Sequence, residues 1–210
     1  MLRVAIVDDH PVARHGLASM LAPTPDVEVV AAVAEVSELP RAPDGRFAFD
    51  VLLLDLYLGD GRTALPAIAE LNEHVPVLVV SASRAPSDVL AAMQAGASGY
   101  LTKHATEDAY AAAIRSVRTG GFYLSAQLAD LIEAATTAKA PATARDELSP
   151  REREALSYIA RGFTHQQTAT RMNVSKATVD TYIARIRTKL NLGNKAELAL
   201  AALRYLAPGE

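Results

Sequence analysis

"VLLLDLYLGDG", residues 51–61, decides the fold class. Four apolar residues, Val51-Leu52-Leu53-Leu54, run without interruption into Asp55. A continuous apolar run of this length suits a strand covered on both faces, as in a parallel sheet flanked by helices. A carboxylate at the end of such a strand is costly unless something compensates its charge. The compensating groups are to be sought at the ends of neighbouring strands.

Working outward, the first half of the chain alternates short apolar runs with helical patterns. Strands are expected at Arg3–Val7, Val27–Val33, Val51–Leu54, Val77–Val80 and Gly99–Leu101. Helices are expected at Pro11–Leu21, Glu35–Arg41, Thr63–Leu71, Ser87–Ala95 and Thr106–Thr119. Gly96 and Gly120-Gly121 act as helix stops. Five strand–helix repeats predict an open parallel α/β sheet of flavodoxin-like (βα)5 type, in the order 2-1-3-4-5.

The chain of 210 residues is half hydrophobic, has no cysteine and has no apolar run long enough to span a bilayer. Disulfides and thiolate metal sites are thereby excluded. Met1–Val7, cut short by Asp8-Asp9, lacks a signal-peptide layout, and a cytoplasmic location is expected. The net charge of −3 hides an asymmetry: residues 1–135 carry a balance of −8 and residues 136–210 a balance of +5. An acidic half joined to a basic half predicts two domains with different partners, the basic one suited to a polyanion.

The junction is readable too. A helix is expected at Ser125–Ala135, followed by "ATTAKAPATARDE", residues 135–147, whose composition is that of a linker. The expected divisions are 1–121, 122–147 and 148–210. The last part reads as four helices. Ser149-Pro150-Arg151-Glu152 is a capping box with Pro at the first helical position, and Gly162 ends that helix. Thr164 and Gln167 form a second box, Ser175 caps a third helix over Lys176–Leu190, and Asn194 and Glu197 bracket a fourth. Two short helices around the turn Asn173-Val174-Ser175 make a helix-turn-helix.

In the predicted sheet order, Asp8 and Asp9 end the first strand and Asp55 the third, which are neighbours. Ser81 and Lys103 end the fourth and fifth. Three carboxylates converging on one rim repel one another and would hold protons without a cation. With neither Cys nor His in the cluster, the donors are oxygens, which favour a hard cation such as Mg²⁺. Lys103 adds a point charge for a phosphate and Ser81 a hydroxyl donor, completing the parts of a phosphoryl-transfer site.

"VDDHPVARHGL", "LLLD", "VVSAS" and "AGASGYLTK" resemble the receiver domain of bacterial response regulators. The resemblance implies Asp55 as phosphoacceptor, Asp8, Asp9 and Asp55 as Mg²⁺ ligands, Ser81 as the phosphate-sensing hydroxyl and Lys103 as the phosphate-binding lysine. It further implies Tyr100 as an aromatic switch that turns inward when Ser81 moves, and Ala82 as the small residue leaving the phosphate accessible. "LYLGDG" departs from the usual loop after the acceptor, and His104 stands where an acidic residue is common. Tyr57 and Ser83 occupy positions that, in the family, tune how long the phosphate lasts.

Residues 147–198 resemble the LuxR-type helix-turn-helix, through "LSPRERE", "ARG", "TVDTY" and "IRTKLNL". Together the two matches resemble the NarL/FixJ family. At 100° per residue, Val179, Ile183, Ile186 and Leu190 form the core face of the third helix. Ala177, Asp180, Thr181, Ala184 and Thr188 lie opposite, flanked by Arg185 and Arg187. The candidate DNA contacts are Lys176, Thr178, Asp180, Thr181, Ala184, Arg185, Arg187 and Thr188, with Arg185 and Arg187 suited to phosphates; the resemblance implies 180, 181 and 184 as the base-contacting positions. Asp180 could accept from cytosine N4, whereas no Arg or Lys stands at 180, 181 or 184 to read guanine.

The expected function is a two-component transcription regulator. A cognate histidine kinase or small phosphodonor phosphorylates Asp55 with Mg²⁺, the face carrying helices 87–95 and 106–119 changes, and a homodimer binds promoter DNA. It is expected to act on its own phosphoryl group and not as an enzyme on a separate substrate. Two readings compete. An aspartate-nucleophile phosphatase would place its Asp-x-Asp after the first strand, where Asp8-Asp9 stands instead, and a helix-turn-helix that no longer binds DNA is conceivable because of Asp180.

Overall fold

The computed structural model describes residues 1–59, 61–136, 148–160, 163–190, 192, 198 and 201. The N-terminal part is a parallel sheet built from β1 (Leu2–Val7), β2 (Val27–Val33), β3 (Val51–Asp55), β6 (Val77–Ser81), β7 (Gly99–Thr102) and β8 (Tyr123–Leu124), in the order β2-β1-β3-β6-β7-β8. The first five strands match the expected order. Around the sheet lie α1 (Pro11–Leu21), α2 (Leu65–Leu71), α3 (Pro86–Gln94), α4 (Glu107–Arg118) and α5 (Ala126–Thr136).

Two layers explain why β3 is apolar up to Asp55. Leu52 and Leu54 pack on one face with Ile68 of α2 and Val89, Ala92 and Met93 of α3, while Val51 and Leu53 pack on the other with Leu17 of α1 and Ile114 of α4. Every residue of β3 is buried. Full burial of each such Leu or Val contributes about 1.5–3 kcal/mol, which holds the strand end rigidly in place.

Three elements differ from expectation. The helix expected over Glu35–Arg41 is a single 3-10 turn, Val36–Glu38. Pro40 ends it, because the residue before a proline is driven out of helical space and Leu39 is extended at φ −62°, ψ 131°. "LYLGDG" and the two residues after it form a small antiparallel ladder, β4 (Tyr57–Leu58) with β5 (Arg62–Thr63), with Gly59 and Gly61 between them at φ 59° and 78°. Glycine carries such positive φ without steric cost. Finally, Tyr123–Leu124 adds a sixth strand beside β7. Its backbone comes so close that a Cβ on Gly99 would lie 2.6 Å from Tyr123 O.

The helix expected in the junction is docked. Leu128 and Ile132 of α5 are buried in the same apolar cluster as Met93, Tyr100 and Phe122. Most of the expected linker, residues 137–147, lies outside the described residues, as do Asp60, Gly162, Asn194 and Glu197.

The C-terminal part contains α6 (Pro150–Ala160), α7 (His165–Met172) and α8 (Lys176–Lys189) around its own core of Ala155, Leu156, Ala169, Met172, Val179, Ile183 and Ile186. Of the fourth expected helix, Leu198 and Ala201 are helical and buried. Both capping boxes form: Ser149 N donates to Glu152 Oε2 at 2.8 Å, and Thr164 N to Gln167 Oε1 at 3.0 Å. Asn173 adopts the left-handed conformation that closes α7. Burial pushes the Glu152 carboxyl up, but Lys189 Nζ at 2.7 Å and the Ser149 amide outweigh it and hold the group below the usual range.

Candidate functional site

The carboxyl ends of β1 and β3 are adjacent, and the crossovers leaving them go to opposite faces. That is where an open parallel sheet forms a crevice. Asp8 and Asp9 follow β1, Asp55 and Ser81 are the last residues of β3 and β6, and Lys103 follows β7. Asp8, Asp55 and Ser81 are 1%, 5% and 1% exposed.

Lys103 is the hub. Its Nζ lies 2.7 Å from Asp8 Oδ2 and 2.8 Å from Asp55 Oδ2. Burial pushes the Asp55 carboxyl above the usual range, more than Lys103 draws it down, and the nearby Asp8 charge adds to the rise. Burial works against the Lys103 ammonium, yet the paired carboxylates raise it above its ordinary value. One cation facing two buried carboxylates leaves negative charge to be balanced.

Ligand atoms of Asp8, Asp9, His10 and Asp55 lie within 4.8 Å of one another. Asp8 Oδ1 accepts from the His10 amide at 2.9 Å, and the buried Oδ2 meets only the Lys103 ammonium, at 2.7 Å. A buried carboxylate oxygen with unfilled lone pairs in an oxygen-rich cluster fits a hard dication. The sequence reading needs one correction, since His10 belongs to this cluster. Its Nδ1 is 2.8 Å from Asp9 Oδ1. An ionised carboxylate only accepts, so Nδ1 donates and has no lone pair for a metal. Through Nδ1 His10 orients Asp9, and Asp8, Asp9 and Asp55 supply the oxygen donors of the cluster. The turn of "LYLGDG" adds a second hold, Gly59 N donating to Asp9 Oδ2 at 3.0 Å.

A hydrogen-bond network that sequence reasoning missed surrounds Ser81. Ser83 N donates to Ser81 Oγ at 3.1 Å, and Tyr100 OH donates to Ser83 O at 3.1 Å. Ser83 Oγ and Tyr57 OH both donate to Asp88 Oδ2, at 2.6 and 2.8 Å. Tyr100 is fully buried, so its ring occupies the inward position. Asp88, in the first turn of α3, had no local signal beyond an acidic residue near a helix start.

On α8, Val179, Ile183 and Ile186 are buried and Leu190 packs against their cluster, as the helical angle predicts. Lys176, Thr181, Ala184, Arg185 and Thr188 are exposed; Thr178, Asp180 and Arg187 are half-buried. The Thr181 and Thr188 hydroxyls donate to Ala177 O and Ala184 O of their own helix. Thr178 Oγ1 pairs with Ser175 Oγ at 2.8 Å, and Arg187 Nε reaches Leu192 O at 3.5 Å. Asp180 is engaged by His165 and Lys176.

An acidic, lysine-containing crevice on a doubly wound sheet, followed by a helix-turn-helix, defines a signal-receiving switch domain joined to a DNA-binding domain. A family model described as the response regulator receiver domain matches residues 4–115, and one described as bacterial regulatory proteins, luxR family, matches 146–202. The chain is 32% identical over 199 residues to the transcriptional regulatory protein UhpA of Salmonella typhimurium, covering 95% of this chain and 96% of that protein. It is 32% identical over 222 residues to the DNA-binding transcriptional activator DevR/DosR of Mycobacterium tuberculosis, covering 100% and 99%. The crystal structure of the response regulator ChrA of a heme-sensing two-component system is similar at 32% identity and a TM-score of 0.54, covering 97% and 96%. The chain belongs to the NarL/FixJ family of response regulators, with a receiver and a LuxR-type DNA-binding domain. No helix of the described residues is long and apolar enough to cross a membrane.

Proposed function

We propose that Asp55 accepts a phosphoryl group from the phosphohistidine of a cognate histidine kinase or from a small phosphodonor. A carboxylate oxygen of Asp55 forms the new O–P bond as the donor's bond to phosphorus breaks. The observation that carries this reading is Lys103, whose ammonium bridges Asp8 and Asp55 in a buried crevice. Asp8, Asp9 and Asp55 would hold Mg²⁺, which supplies positive charge to offset that of the phosphoryl oxygens. Lys103 stands ready to pair with a phosphoryl oxygen, and Ser81 offers its hydroxyl. The chain's own acylphosphate is the only species it is inferred to turn over.

Ser81, Ser83 and Tyr100 share hydrogen bonds, so movement at Ser81 reaches the start of α3 and the cluster under α5. The switch is a local charge event biasing a two-state element. Its output is dimerisation and promoter binding by residues 148–210 in the cytoplasm, with 1–121 as receiver and 122–147 as connector. Beryllofluoride, a phosphoryl mimic, tests the reading with Mg²⁺ present. Dimerisation and tighter DNA binding are expected in the native chain and not in Asp55→Asn; no change in either argues against phosphorylation control.

A further inference from the structure

Both oxygens of Asp180 on α8 are occupied. His165 Nδ1, from the first turn of α7, is 2.6 Å from Oδ1, and Lys176 Nζ, one turn earlier on α8, is 2.9 Å from Oδ2. A carboxylate only accepts, so both cations or donors point their hydrogens at Asp180. Lys176 first, then His165, hold its carboxyl below the usual range. Lys176 is the one cation in the first turn of α8, and Lys189 at the other end is committed to Glu152 at 2.7 Å. The face shared with Asp180 otherwise carries Thr181, Ala184 and Thr188, whose two hydroxyls are turned back onto the helix.

A base-reading acid would present a free oxygen outward. Here both oxygens of a carboxylate that is still 43% exposed are engaged by the protein's own donors, and its charge is of the sign that repels the phosphates Lys176 would otherwise meet. We propose that Asp180 is an internal counter-ion that masks Lys176, with His165 as the positioning residue that ties it to α7, so that α8 discriminates by weakening sequence-independent contact. Specificity is a difference of affinities, and lowering the phosphate contribution widens that difference without any base contact. The inference rests on α8 being the helix that meets DNA.

The test uses the full chain and a mixed-sequence DNA duplex, with affinity measured by fluorescence anisotropy across a salt series. Each phosphate neutralised steepens the plot of log K against log salt by about 0.9. Asp180→Asn is expected to tighten binding and steepen the slope by about that amount, an added loss of about 3.5-fold between about 50 and about 200 mM salt. Adding Lys176→Met should cancel the gain. Lys176→Met alone should change the slope far less, because the lysine is already masked. An unchanged or shallower slope for Asp180→Asn, or a full loss of about 0.9 for Lys176→Met alone, overturns the proposal. A native chain that fails to bind the duplex at low salt even with Mg²⁺ and beryllofluoride present overturns the DNA reading as well.

Discussion

Tyr57 and Asp88 are joined across the acidic crevice: the Tyr57 hydroxyl donates to Asp88 Oδ2 at 2.8 Å. The bond ties the small ladder after Asp55 to the first turn of α3, and the Tyr57 amide leans toward Asp55 Oδ1 at 3.4 Å. Tyr57 is thus held by both ends beside Asp55. Its phenol is raised above its ordinary value by that hydrogen bond first, so it stays protonated and donating. If Tyr57 shields an acylphosphate from water, releasing it should shorten the phosphoryl lifetime. A hydrogen bond contributes about 1 kcal/mol net, which as a barrier change is about fivefold in rate. Asp88→Ala should speed dephosphorylation by that order, and Tyr57→Ala by more. An unchanged half-life in Tyr57→Ala, measured on phosphate-affinity gels, removes shielding as the mechanism.

Lys103 compensates two buried carboxylates, which fixes the sign of its pH behaviour. Asp55 is raised above its ordinary 3.8, so its contribution to stability is present at low pH and lost as pH rises through the folded value. The contribution of Lys103, raised above 10.5, is complete below that pH and lost above its folded value. At neutral pH, Lys103→Met therefore leaves Asp8 and Asp55 uncompensated and should cost about 3 kcal/mol. Near pH 4 the deficit should shrink as Asp55 takes up a proton. Urea unfolding of both chains at the two pH values measures the difference; an equal deficit at both contradicts the assignment.

Metal binding should be visible without any phosphodonor. At ten times its Kd, Mg²⁺ bound only by the folded chain stabilises by about 1.4 kcal/mol. Asp8→Asn and Asp9→Asn should each abolish most of the resulting rise in Tm. A native chain whose Tm ignores Mg²⁺ would contradict the oxygen cluster as a dication site.

The docking of α5 predicts a stability effect from a residue that composition alone would assign to a connector. Leu128 is buried among the residues around Tyr100. Leu128→Ala should cost the N-terminal part about 3 kcal/mol, a typical value for a Leu truncated in a packed core. Thermal unfolding of the full chain that leaves the first transition in place would show the contact to be dispensable.

The strand ends were the most legible part of the molecule. Apolar runs stopped by Asp8, Asp55, Ser81 and Lys103 have no other economical reading, because a doubly covered strand must be apolar up to the point where it leaves the sheet. Elements too short to have a period were illegible: β4, β5 and β8 are two residues each. At Glu35–Arg41 the helical pattern lost to Pro40. His10, Asp88 and His165 are chemically ordinary in sequence, and only tertiary proximity gives them partners. The same limit applied to Asp180, whose face was predictable from the helical angle but whose occupied oxygens were not.

The sixth strand and the docked helix also bear on how such chains can be recombined. A hybrid sensor joined after residue 121 would strip β8 from the edge of β7 and leave Met93 and Tyr100 without Phe122, Leu128 and Ile132. A junction placed after residue 136 would keep β8 and α5 with the sheet and cluster they pack on.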